Sequence, residues 1–225
     1  MRLRLQLVFL LLISACSAQV VDRMVAVVNK RVILESELDQ TARVELLMQG
    51  KPLEQLTEAD RMATLDRLID RSLLEQQIAR TEMLDPTPEE LAARLAEVRR
   101  QLPGAGTDEG WHKILKSYGL EQQDVEANLK AQIRILRFVD LRFRGLVRVE
   151  HSAIEAYYRD KLIPELRAQG AEAPPLSQVS AKIENILTEQ SIDDMLARWL
   201  DTLRGQAHIE KMIASATSGA NEERP

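Results

Sequence analysis

The chain has 225 residues, 45% of them apolar and 29% charged, a balance that excludes disorder as the default and allows a core of ordinary size. A formal charge of -5 argues against a general nucleic-acid binder, which needs a net basic surface to neutralise phosphates. The one cysteine, Cys16, excludes a disulfide within a single chain.

Residues 1–18 read as a signal peptide. Arg2 and Arg4 form a basic start, Leu5 to Ile13 an apolar run, and Cys16-Ser17-Ala18 a small-x-small cleavage site before Gln19. The run is shorter than the roughly 20 apolar residues a membrane helix needs. Cleavage after Ala18 removes Cys16 and, with Arg2 and Arg4 gone, takes the formal charge from -5 to -7. Ile13-Ser14-Ala15-Cys16 also resembles a bacterial lipobox, and cleavage before Cys16 would leave that residue lipidated and the protein tethered. Both outcomes stay open, and either implies export.

Met24 to Val28 and Val32 to Leu34 are β-branched runs around Asn29-Lys30-Arg31, the pattern of a hairpin whose turn uses an Asn in the left-handed conformation. An isolated hairpin is marginal in water. The alternating segment Ala207 to Ile213 is expected to join it as a third strand. Between these ends the periodicity predicts helices over 36–49, 58–83, 88–102, 108–118, 121–146, 152–163 and 177–204. Ser36 with Asp39, Thr57 with Asp60 and Thr87 with Glu90 have capping-box spacing, and Pro88 suits a first helical position. Apolar faces are expected at Met62, Leu65, Ile69 and Leu73, at Val125, Leu129, Ile133, Leu136 and Val139, and at Ile192, Met195, Trp199 and Leu203. The organisation read from this is a helical domain over 19–167, a linker over 168–176, a C-terminal helix and strand over 177–213 that pack back on that domain, and a disordered tail over 214–225. Such a linker lets the last helix close on its own domain or swap into a second copy in a homodimer.

Catalytic and metal-binding patterns are missing from the sequence. His112, His151 and His208 have no second histidine or cysteine at ligand spacing, and each suits a surface or capping role. Glu89-Glu90 and Asp193-Asp194 read as first-turn carboxylates favoured by the helix dipole rather than as an acid/base pair. Lys130, Arg134, Arg137, Arg144 and Arg148 form a basic stripe, read as a solvated face with acidic neighbours. No catalytic residue, cofactor or metal is expected.

Three stretches carry a family resemblance. Gln19 to Leu38, with Val25-Ala26-Val27-Val28-Asn29 and Ile33-Leu34-Glu35-Ser36-Glu37-Leu38, resembles the opening of the SurA N-terminal domain, and Asp66 to Gln76 resembles its second-helix motif. Val147 to Tyr158 resembles the helix that precedes the parvulin isomerase domain in many relatives, although His151-Ser152 depart from the usual residues. Only Arg159 to Gln178 then intervene before Lys182 to Gln190 and Trp199 to Arg204, which resemble the family's C-terminal helix. The resemblance implies a mainly α fold like that of SurA and trigger factor, with the hairpin completed by a C-terminal strand and the isomerase module absent. It further implies a holdase chaperone for unfolded outer-membrane or secreted polypeptides. Met48, Leu115, Tyr118 and Phe138 are the candidates to line a client groove. The alternatives are a lipid-anchored docking subunit of an envelope complex, with one tight partner in place of many weak ones, and a working prolyl isomerase.

Overall fold

The computed structural model describes residues 22–78 and 82–212. The expected signal peptide, Cys16 and the tail 214–225 lie outside them. Strands β1 (Met24–Val28) and β2 (Arg31–Leu34) lead into helices α1 (Glu35–Met48), α2 (Glu58–Ile78), α3 (Pro88–Gln101), α4 (Asp108–Tyr118) and α5 (Gln122–Phe143). Helix α6 (His151–Tyr157) runs through a π-helical turn (Tyr158–Leu162) into α7 (Ile163–Ala168), followed by the long α8 (Leu176–Gln206) and strand β3 (Ile209–Lys211). The fold is mainly α, with a small antiparallel sheet.

The sheet has the order β2-β1-β3, so its middle strand comes from the start of the chain and one edge from the end. Asn29 makes the hairpin turn with φ at 57°, the left-handed region that Asn tolerates. Its side chain also fixes the third strand. The Asn29 N–H donates to the His208 carbonyl at 2.7 Å, Asn29 Oδ1 accepts from the His208 N–H at 2.9 Å, and Asn29 Nδ2 donates to Gln76 on α2 at 2.8 Å. β3 then pairs Ile209 with Val28 and Lys211 with Ala26. A bulge between Met24 and Ala26 breaks strict alternation, and Val25, Ala26 and Val28 are all buried.

Two of the three expected capping boxes form. Thr57 and Asp60 exchange backbone-to-side-chain bonds at the start of α2, as do Thr87 and Glu90 at the start of α3. The third does not, because α1 begins one residue earlier, at Glu35. Ser36 is therefore inside the helix; its N–H and hydroxyl both donate to Asp22, while Asp39 pairs with Arg61. Three predicted ends also move. The helix expected over 58–83 is described as α2 to Ile78, and residues 82–84 form a 3-10 turn. The helix expected over 121–146 gives way at Phe143 to a 3-10 turn over 144–146. The helix expected to stop at 163 continues to Ala168, and the wide π turn lies just ahead of Pro164, whose missing N–H cannot continue the α ladder.

One core cluster joins the sheet to α2 and the end of α8, with Val25, Val28, Ile33, Leu38, Leu65, Ile69, Leu73 and Leu203 buried together. A second joins α1, α3, α4 and α5 around Trp111, whose Nε1 donates to Gln122 at 3.1 Å. Gly110, in the first turn of α4, sits so close to the Gly104 carbonyl that a Cβ would clash with backbone. A third, smaller cluster joins α5 to α8 through Val139, Phe143 and Ile192. The C-terminal segment is thus part of the same core as the N-terminal hairpin. It is held there by Arg204 to Asp70 at 2.6 Å and Lys211 to Asp66 at 2.5 Å.

Candidate functional site

Most of the expected helical faces are buried as the periodicity requires, with one departure that exposes a site. On α5, Val125, Leu129 and Val139 are buried, but Leu136 is 67% exposed. Leu141 is 70% exposed and Met83, in the 3-10 turn over 82–84, is 79% exposed. These three side chains border one open groove of about 660 Å³ between α5 and α8. Ile135, Val139, Ile192 and Leu196 also line it, and of these Val139 and Ile192 belong to the third core cluster. Three large apolar side chains at half or more exposure around one concavity form the kind of patch that marks a binding surface.

Charges border the groove and hold its walls. Arg144 bridges them, its Nε on Asp140 of α5 and its Nη2 at 2.5 Å from Glu189 of α8. The two carboxylates on it hold its guanidinium above its ordinary value. Arg137 donates to the Asp85 carbonyl at 2.8 Å and to Glu90 at 2.5 Å, which fixes the turn carrying Met83 against α5. Asp85 in turn takes Lys130 at 2.7 Å and Arg134 at 2.8 Å, and the Lys130 hydrogen bond, helped by the charge on Arg134, keeps its carboxyl below the usual range. The basic stripe, of which Lys130, Arg134 and Arg137 lie on α5 and Arg144 and Arg148 beyond its end, is therefore largely matched by acids, as the sequence suggests. Arg148 makes no ion pair among the described residues.

Three of the four residues expected to line a groove come together, but at the second core cluster and away from the groove, and Phe138 stands apart from them. Leu115, at 2% exposure, is core of the second cluster, with Met48 and Tyr118 packed against the same cluster and the Tyr118 hydroxyl on the Lys51 carbonyl at 2.6 Å. Phe138 is on α5, but its ring lies 5.8 Å from that of Trp199, beside Phe143 and under the same Trp that Arg142 covers at 4.2 Å. The residues that do border the groove were hidden by periodicity, because Leu136 keeps the spacing of a buried face. It is exposed because, among the described residues, no element packs on its side.

The histidines are scattered. His112 Nδ1 lies 2.7 Å from the Asp108 carbonyl, His151 faces Glu155 and His208 faces Glu210, each within its own element or turn. Among the described residues no group of three or more His, Cys, Asp or Glu could hold a metal ion. Glu89 and Glu90 are in the first turn of α3 as expected, but Asp193 and Asp194 are not at a first turn: α8 has already begun at Leu176, and they lie in its middle. Among the described residues, no helix is long and apolar enough to cross a membrane. The path from α6 to α8, residues 158–175, is the π turn, α7 and an extended loop, with the Tyr158 hydroxyl on the Pro174 carbonyl at 2.8 Å. It contains no inserted domain.

No curated protein matches the chain. The family model for the SurA-like N-terminal domain matches residues 5–138, a stretch that takes in the hairpin, α1 to α4 and most of α5 and leaves the α8 wall of the groove outside. That match spans more than half of the sequence, and the chain belongs to the SurA-like N-terminal domain family, a family of chaperone-like proteins.

Proposed function

We propose that the protein is a holdase chaperone that binds apolar segments of unfolded outer-membrane or secreted polypeptides in the groove between α5 and α8, and that it has no prolyl isomerase activity. The observation that carries this reading is the set of exposed apolar side chains Met83, Leu136 and Leu141 around one open concavity in a member of a chaperone-like family. A holdase needs a surface that many sequences can use weakly, and a wide apolar groove with a flexible Met at its edge supplies that. The signal-like residues 1–18 support export to the periplasm, with lipidation at Cys16 as one route of retention. The layout of 19–167, 168–176 and 177–213 is retained as a description of sequence units, and a swapped homodimer as an arrangement the loop length allows.

The test is suppression of aggregation of a denatured outer-membrane β-barrel protein by the purified protein and by a Leu136→Ser/Leu141→Ser variant. Both side chains are exposed, so the variant should keep its fold. The unaltered protein is expected to suppress aggregation near stoichiometric amounts and the variant to need several-fold more. Equal suppression by both would remove the groove from the function. Absence of suppression by the folded, unaltered protein would end the holdase reading.

A further inference from the structure

Resting on the groove as the client site, we infer that it selects apolar segments flanked by Lys or Arg, and that Asp193 is the residue that selects them. The two walls are not equivalent in charge. On α5 and the turn that follows it the groove arginines are engaged: Arg144 by Asp140 and Glu189, Arg137 by Glu90 and two carbonyls. On the α8 wall Asp193 borders the groove and is exposed, with no ion-pair partner among the described residues.

The sequence around Asp193 offers it none. On a helix a partner would stand three or four residues away; those positions hold Glu189, Gln190, Leu196 and Ala197. Asp194 by contrast has Arg198 four residues on. Asp is a weak helix former in a helix interior, and mid-α8 it is too far from the N-terminus to gain from the dipole. Glu189 one turn before it adds like charge. Among the described residues no ion pair or side-chain hydrogen bond offsets the cost Asp193 brings to its helix, and it stands beside the apolar floor residues Ile192 and Leu196. A client whose apolar side chain enters the floor and whose next residues carry a cation supplies the missing partner. A client flanked by carboxylates meets repulsion there instead.

The experiment uses fluorescence anisotropy with two labelled peptides that share one apolar centre, one flanked by Lys and one by Glu. The purified protein is expected to bind the Lys-flanked peptide about 3-fold more tightly, the scale of an exposed ion pair. The preference should shrink at about 1 M salt, where the screening length falls to about 3 Å. Asp193→Asn should equalise the two peptides and Asp193→Lys should reverse their order. Equal binding by the unaltered protein, with both peptides still lost in Leu136→Ser/Leu141→Ser, overturns the charge selection and leaves the groove standing. Failure of both peptides to bind, or binding untouched by that pair, overturns the groove as well.

Discussion

Truncation after Gln206 removes β3 and should cost about 4 kcal/mol, most of it from hydrogen bonds that only the last residues can supply. Three bonds outside the ladder go at once: Asn29 N–H to the His208 carbonyl, the His208 N–H to Asn29 Oδ1, and the Met212 N–H to the Val25 carbonyl. At about 1 kcal/mol net each they account for about 3 kcal/mol, before the pairs of β1 with β3. Ile209, packed against the first core cluster, and the exposed Lys211 to Asp66 pair add smaller amounts. Against a total of about 5–15 kcal/mol for a domain, the loss is large, yet it leaves a folded chain to measure. Urea unfolding followed by circular dichroism reads it as a lower midpoint, and the slope shows whether the native state has loosened. A loss below about 1 kcal/mol would mean that β1 is stable as an edge strand and that the C-terminal strand does not close the fold.

Two further perturbations test the core and the caps. Trp111→Ala should cost about 3–5 kcal/mol, because it empties the centre of the second cluster and strands the Gln122 carbonyl, and thermal unfolding at neutral pH would show it. Glu90 has its carboxyl held below its ordinary value of 4.5, first by the Thr87 N–H and then by Arg137. A depressed carboxylate stabilises the fold above its unfolded value and loses that contribution as pH falls through its folded one. Glu90→Gln should therefore lower the melting temperature at pH 7, with the difference closing below pH 4.5; a constant difference across that range would show that the charge is not what matters.

The parts of the fold written in local pattern were legible. Asn29 between two β-branched runs gives the turn, Thr57 and Thr87 mark two helix starts, and Ile209 to Lys211 form the third strand where alternation placed it. What local pattern misled on was decided by distant partners or by backbone geometry. Ser36 looks like a cap until Asp22, from before the hairpin, takes its hydroxyl. Pro164 looks like a helix end until the preceding turn widens to pass it. The groove was the least legible feature. Leu115 and Leu136 both carry helical apolar spacing, yet one is core and the other is open, because burial depends on which helix stands opposite and sequence spacing carries no record of that.

The groove follows from the way α8 changes partners along its length. Its C-terminal half packs on α5 and α2 through Ile192, Leu196, Trp199 and Leu203, while its N-terminal half has Ile183 buried; α8 also packs with α6, whose own Ile154 is buried. α5 stops at Phe143 and the chain leaves through the 3-10 turn, and among the described residues no element covers the flank of α5 that carries Leu136 and Leu141. The Arg144 bridge to Glu189 spans the two walls at this place and keeps them joined without filling the space between them. The same long helix that closes the sheet through β3 therefore also forms one wall of the open apolar groove.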